Sequence, residues 1–483
     1  MKASVLLLFL FLGYAMHQVC AQDRPNIILI VVDDMRFDEW GGGGHDFLET
    51  PNIDGLAEEG FNFTQAYHAV PLCSPNRASI LTGQYPSKHG IIDNTSRNQA
   101  SFLLPLFPKY LQEAGYRTAH VGKWHMGNSP ESRPGYDYWV SFEGQGKTYD
   151  PDLYEEGRIN KVEGYITDIF TDRVIRFIKS DDDRPFFAYL GHKAIHPEAV
   201  QRDDGTVDLS VDRQFIPARR HADQYQGKKV ERSASVPEKP YPGQGKPVIT
   251  QAFAIRDETV KKEPLWEREL DVSDHVISKR AEMMLAVDES LGRIVSTLDE
   301  MGIRDDTVII FTSDNGYFYG EHGFTIERRM PYQEAIRTPL IANYPKWKGS
   351  GIDLDARVVS VDLAATVMDL AGVDKPATIQ GRSILPLITG AASRIREATY
   401  VEFYSHENPF PWTAKLDYRV VLKDQYKYIR WIRFENQDEL YDLEADPLEM
   451  NNLVNDREYV EVVSEMKTDL RRLQLEALGL AEE

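Results

Sequence analysis

The amino-acid sequence predicts an α/β sandwich with a mostly parallel central sheet, followed by a smaller C-terminal α+β domain with a short antiparallel sheet. Two observations lead there. Four β-branched or aromatic apolar runs, at residues 26–33, 116–122, 185–191 and 307–313, are separated by segments with apolar residues at helical spacing, which is the alternation of a parallel sheet flanked by helices. Beyond residue 375 the pattern changes to closely spaced short strands and one terminal helix.

Taken in order, residues 1–21 carry one early charge at Lys2, an apolar run over 5–12 and the ending Val19-Cys20-Ala21. That is the pattern of a cleaved signal peptide, its apolar part too short to span a bilayer, so the mature chain is expected to be exported, periplasmic or secreted. His17-Gln18-Val19 is a poor context for lipid attachment at Cys20. Asn26-Ile27-Ile28-Leu29-Ile30-Val31-Val32-Asp33 is continuously apolar and closed by an acid, as a strand buried on both faces reads. Helices are expected over 51–60, 103–115, 165–179, 272–301 and 363–372. Between 198 and 268 the pattern dissolves into charge, Gly and Pro around Tyr241-Pro242-Gly243-Gln244-Gly245, a long surface insertion of the kind that shapes a binding groove. Residues 22–375 form the expected catalytic domain. In the C-terminal α+β subdomain, 376–483, strands are expected over 418–432 and 439–443 and a helix over 458–478.

The chain has 483 residues, 42% hydrophobic, with 55 Lys+Arg against 76 Asp+Glu, a formal charge of −21. Without a basic run it is unsuited to a nucleic-acid backbone, and an anionic substrate would need a locally positive pocket. No further segment is long and apolar enough to span a membrane. Its two cysteines are Cys20 and Cys73. Loss of the leader leaves Cys73 alone, so a disulfide within the mature chain is impossible.

Polar groups follow each apolar run: Asp33 and Asp34, Lys123 and His125, His192 and His196, Asp314 and Asn315. The carboxyl ends of parallel strands face one crevice, where ligands bind. Asp33, Asp34, Asp314 and Asn315 offer oxygen donors only, which suits Ca²⁺ first and Mg²⁺ second and disfavours zinc.

The stretch Leu72-Cys73-Ser74-Pro75-Asn76-Arg77-Ala78-Ser79-Ile80-Leu81-Thr82-Gly83 resembles the signature of the formylglycine-dependent sulfatases. Gly122-Lys123-Trp124-His125, His192-Lys193-Ala194-Ile195-His196-Pro197, Ser313-Asp314-Asn315-Gly316 and Glu439-Leu440-Tyr441-Asp442-Leu443 follow in family order. The resemblance spans nearly the whole mature chain and implies an alkaline-phosphatase-like fold. It implies that Cys73, in the pattern Cys-x-Pro-x-Arg, is oxidised before folding to formylglycine by a formylglycine-generating or anaerobic sulfatase-maturating enzyme. The metal set implied is Asp33, Asp34, Asp314, Asn315 and the modified residue 73. Two departures stand out: Asn76 occupies a position that many members fill with Ser or Ala, and Glu327-Arg328-Arg329 stands where the family usually places a lysine near the sulfate. Arg328 keeps the charge, as a planar fork that binds sulfate but does not readily give up a proton.

The mechanism implied is attack on sulfur by a hydrated aldehyde at residue 73, giving a covalent sulfate hemiacetal. His196 protonates the departing sugar oxygen, and His125 takes the proton that lets the diol expel sulfate. Lys123 and Arg77 hold the diol and sulfate oxygens, with Lys123, His196 and Arg328 on the substrate side. His192 and Lys193 are left to orient their loop or to meet a substrate carboxylate. The expected substrate is an extracellular sulfated oligo- or polysaccharide, for example an algal one such as ulvan, with Tyr149, Trp139, Trp266 and Trp412 as candidates for stacking on sugar. The competing readings are a phosphonate monoester hydrolase or phosphodiesterase of the same superfamily, and a sulfated-glycan binding protein without turnover.

Overall fold

The computed structural model describes residues 24–211, 214–237, 245–265, 271–325, 328–405 and 410–480. The expected leader lies outside these residues, as do Trp266 and Glu327.

Among the described residues, ten strands form the central sheet. Five parallel strands occupy its middle, in the order Thr307–Ser313, Asn26–Val32, Phe186–Gly191, Arg117–Gly122 and Tyr138–Ser141. Leu29 lies opposite Tyr189 on one side and Ile310 on the other. The two-residue period sends Ile27, Leu29 and Val31 into one core and Ile28, Ile30 and Val32 into the other, which is why this strand is apolar at every position. The edge strands escaped the sequence reading. Leu340–Asn343 runs antiparallel beside Thr307–Ser313 and leads to Phe61–Phe63 and Ile352–Leu354. At the other edge Asp152–Glu155 and Arg158–Lys161 form a hairpin whose outer strand is fully exposed, so it carries no apolar run for sequence reading to find.

Helix Asp274–Glu300 packs on the face formed by Ile28, Ile30 and Val32, together with Ile166–Ile178. The expected helix over 103–115 is two pieces, Asn98–Leu103 and Phe107–Glu113. Leu104 between them is extended, as the residue before Pro105 must be.

The 198–268 segment is not only a loop. It contains the helix Pro247–Lys262, which buries Val248, Ile249, Ala252 and Phe253 against Tyr418, Val420 and Trp431 of the C-terminal sheet. Those four apolar positions follow helical spacing, a signal hidden by the Gly- and Pro-rich chain before them. The C-terminal sheet is an antiparallel meander of Thr399–Phe403, Tyr418–Lys423, Tyr426–Trp431 and Glu439–Asp442. Its other face takes Val463, Met466 and Leu470 of the terminal helix Val460–Leu478. Ile379, Ile384, Leu387 and Ile388 pack into the first core, so packing carries that core past the expected boundary at 375.

Candidate active site

Every strand-end group singled out from the sequence is buried at the carboxyl edge of the parallel strands. Asp314 N–H donates to Val32 O at 3.1 Å, and Asp33 and Ile195 exchange backbone bonds with Ala194 and Asp33 at 2.8 Å, so the ends of three strands are tied together. Gly122 has φ +118°, and a Cβ built there would lie 1.9 Å from the Gly191 carbonyl oxygen. Only glycine allows that approach, which lets Lys123 N–H reach Gly191 O at 2.8 Å and turns Lys123 into the crevice.

Cys73 is the first residue of the helix Cys73–Thr82, all ten residues of which are buried. Its Sγ lies 3.9 Å from Asp34 Oδ1. Donor atoms of Asp33, Asp34, Cys73 and Asp314 all fall within 4.8 Å of one another. Asn315 joins them by donating from Nδ2 to Asp34 Oδ1 at 2.7 Å, and Asp34 N–H donates to Asp314 Oδ1 at 3.1 Å. Three buried oxygens here, Asp33 Oδ1, Asp34 Oδ2 and Asn315 Oδ1, accept no hydrogen bond. Burial, and then the Asp314 carboxylate, hold the Asp33 carboxyl above its ordinary range. Crowded acceptors without donors fit a hard cation. Burial also pushes the Cys73 thiol up to about 12, so as a thiol it stays protonated and a weak nucleophile at neutral pH.

Cations enclose the cluster. Arg77, one helical turn from Cys73, donates from Nε to Asp314 Oδ2 at 2.8 Å and from Nη1 to Lys123 O at 2.9 Å. Lys123 Nζ contacts Asp33 Oδ2 and donates to Gln145 Oε1 at 2.6 Å. Arg328 reaches the same place: its Nε is 2.9 Å from Asp34 Oδ1, and its Nη2 is 3.7 Å from Cys73 Sγ and 3.2 Å from His196 Nε2. Asn76 donates to the Asp314 backbone oxygen at 2.7 Å and accepts from Ser360 at 2.6 Å, so the departure at this position braces the backbone of Asp314.

His196 Nδ1 donates to Pro197 O at 2.7 Å, while Nε2 lies 3.8 Å from Asp34 Oδ2. His125 Nε2 is 2.7 Å from Gln201 Oε1. Burial, reinforced by the Lys123 ammonium, holds the His125 imidazole well below its usual range. Lys193 donates to His196 O and Pro197 O at 3.2 and 3.3 Å. It therefore orients its loop. His192, fully buried, meets Ser290 at 3.3 Å. Trp139 is stacked on His120 at 4.5 Å, and Trp412 is buried against Phe410, which removes both from the stacking candidates. Tyr149 packs on Tyr165.

Sequence reasoning missed Gln145 and Gln201. Gln145 follows the strand Tyr138–Ser141, which the sequence reading did not find, so the strand-end argument could not reach it; Gln201 lies in irregular chain and carries no such signal. A second buried group, His322, Glu334 and Glu449, has compatible donors, but the Lys427 ammonium already lies against Glu449 and supplies the positive charge.

Residues 25–373 match the family described as Sulfatase, and residues 320–476 match N-sulphoglucosamine sulphohydrolase, C-terminal. The chain belongs to the sulfatase family. It is a sulfuric ester hydrolase with the alkaline-phosphatase-like sulfatase fold. The family's cysteine-derived formylglycine and a metal ion both fit the donor set around Cys73. An N-acetylglucosamine-6-O-sulfatase of Bacteroides thetaiotaomicron is 32% identical over 93% of this chain and 86% of its own length. An ulvan-active sulfatase of Formosa agariphila is 26% identical over 94% of this chain and 82% of its own. A solved complex of a protein with its substrate D-glucosamine-2-N,6-O-disulfate superimposes with a TM-score of 0.78 at 30% identity, covering 94% of this chain and 98% of that one. The phosphonate monoester hydrolase of Agrobacterium radiobacter shares the fold, with a TM-score of 0.71 at 21% identity, covering 94% of this chain and 96% of its own. Among the described residues no helix is long and apolar enough to cross a membrane.

Proposed function

We propose that this sulfatase removes a 6-O-sulfate from a glucosamine-type residue of a sulfated glycan, with residue 73 as formylglycine and Ca²⁺ held by Asp33, Asp34, Asp314, Asn315 and residue 73. The observation that carries the reading is the oxygen-donor cluster beside Cys73, walled by Arg77, Lys123 and Arg328. The choice of sugar is supported by the 32% identical relative and by the glucosamine disulfate complex. Ulvan is the second candidate, supported by the 26% identical relative.

Bound in that cluster, the cation and the hydrated aldehyde supply an activated oxygen nucleophile and draw charge from the reacting group. The remaining work falls to this chain's side chains. Arg328 and Lys123 neutralise the sulfate oxygens. Arg77 holds the Asp314 carboxylate in place. His196 is fixed through Nδ1–H on Pro197 O, so in the imidazolium form Nε2 is the atom that delivers a proton to the leaving sugar oxygen and the ring returns to neutral; such an acid contributes about 10²- to 10⁴-fold. His125 is the proton acceptor on the other side of Lys123. Cys73 is wholly buried, so the maturating enzyme must reach it before the chain folds. The exported compartment proposed from the leader supplies polymeric substrate without transport.

The test is mass spectrometry of the peptide containing residue 73, from a host that oxidises sulfatase cysteines, followed by turnover assays on 6-sulfated N-acetylglucosamine, ulvan oligosaccharides and phosphonate monoesters. Aldehyde at residue 73 with preference for the amino-sugar sulfate is expected. An unmodified thiol, in a host that converts a control sulfatase, removes the mechanism, and preference for a phosphonate monoester reassigns the reaction.

A further inference from the structure

His125 faces a relay of two glutamines whose polarity is set from both ends. At one end Lys123 Nζ, a donor only, meets Gln145 Oε1 at 2.6 Å. The Gln145 amide nitrogen must then point the other way, and it donates to Gln201 Oε1 at 2.9 Å. At the other end Gly205 O, an acceptor only, takes the Gln201 amide N–H at 3.0 Å. That bond independently turns Gln201 Oε1 toward His125. The atom 2.7 Å from His125 Nε2 is therefore an acceptor, so Nε2 carries hydrogen. Gln145 Nε2, 3.2 Å from the same ring nitrogen, cannot donate to it and is satisfied by Gln201 instead. The neutral ring then has its lone pair on Nδ1, a buried atom with no hydrogen-bond partner.

We propose that Gln201 is a positioning residue of the sulfatase reaction: together with Gln145 it holds His125 in the Nε2–H tautomer and so makes Nδ1 the atom that accepts the proton. The inference rests on the assignment of His125 as proton acceptor. On protonation Nδ1 gains hydrogen, the ring becomes imidazolium, and Nε2–H stays on Gln201 Oε1, so the bonded relay need not rearrange. Gln201 is supplied by the 198–268 segment, where Arg202 N–H donates to Thr206 O at 2.8 Å and Asp208 N–H to Val200 O at 2.9 Å. Those bonds close a tight turn beneath it. Part of that insertion thus serves the chemistry and not only the groove.

The experiment combines ¹⁵N NMR of histidine-labelled, matured full-length enzyme with kinetics of Gln201→Met, Gln201→Glu and His125→Asn, the last also assigning the His125 signals. Wild type is expected to show protonated Nε2 and unprotonated Nδ1. Gln201→Met keeps length but has no oxygen acceptor, and should lower kcat by up to about 10²-fold with KM nearly unchanged and the tautomer signals shifted. Gln201→Glu restores the acceptor for His125 Nε2–H but not the N–H given to Gly205 O, and should recover part of the kcat lost in Gln201→Met. A protonated Nδ1 in the wild type overturns the proposal without any variant having to fold, and so does an undiminished kcat in Gln201→Met. Unchanged turnover in His125→Asn would remove the proton-acceptor assignment, while the ¹⁵N spectrum still decides the tautomer.

Discussion

Arg77 Nε donates to Asp314 Oδ2 at 2.8 Å with both side chains fully buried. The helix that begins at Cys73 is thereby bolted to the end of strand Thr307–Ser313, and the same guanidinium reaches the backbone oxygen of Lys123. One side chain sets the spacing between residue 73 and a carboxylate proposed for the metal.

Arg77→Lys should break this geometry, because an ammonium cannot serve Asp314 and Lys123 O from one planar fork. We expect kcat to fall at least about 100-fold per converted enzyme and stability to drop by about 3 kcal/mol, the scale for disrupting a buried pair. Residue 73 conversion measured by mass spectrometry, beside urea unfolding, separates this outcome from failed maturation. Wild-type stability in the converted variant would show that the pair does not hold the site.

Chelation should abolish turnover, and Ca²⁺ should restore it where Zn²⁺ does not, since the donors are oxygens. The ion also binds the folded state, so at a hundredfold excess over Kd it adds about 2.7 kcal/mol. Calorimetric unfolding with and without Ca²⁺ checks this. Restoration by Zn²⁺ alone would reassign the metal.

His120 predicts a pH effect on stability. Burial lowers its imidazole to about 3, between the rings of Trp139 and Tyr189. Below about pH 6.5 the unfolded chain binds a proton that the folded chain refuses, so this residue removes about 1.4 kcal/mol per pH unit until the folded value is reached. His120→Phe lacks that linkage. Its stability relative to wild type should therefore improve by about 2 kcal/mol between pH 8 and pH 5, read from urea midpoints; equal shifts in the two proteins would refute the assignment.

Phe253 tests the helix within the insertion. It is 1% exposed and meets Phe324 edge-on at 5.1 Å. Phe253→Ala should cost about 3 to 5 kcal/mol, measured by thermal unfolding. A loss below about 1 kcal/mol would mean that Pro247–Lys262 only rests on the surface.

The legible parts of the molecule were those with a local physical cause. Residues 26–33 are apolar at every position because both faces of that strand are covered, and Cys73-Ser74-Pro75-Asn76-Arg77 is a contiguous motif. The strand-end rule also located Asp33, Asp34, Lys123, His125, His196, Asp314 and Asn315 before any contact was known. Pro247–Lys262 had a readable period but lay in polar surroundings, and the exposed strand Arg158–Lys161 had none, since what makes it a strand is the neighbour it pairs with.

The sequence by itself determined four of the sheet's five central parallel strands, the nucleophile motif and the donor chemistry suited to a hard cation, because each depends on residues close together in the chain or on a repeating period. Only the tertiary structure decided which atoms meet. Arg328 approaches Cys73 and Asp34 across 255 and 294 residues of chain, and Gln201 orients His125 from an irregular segment. Such contacts leave no periodic trace, because their spacing is set by how distant elements pack and not by the local backbone.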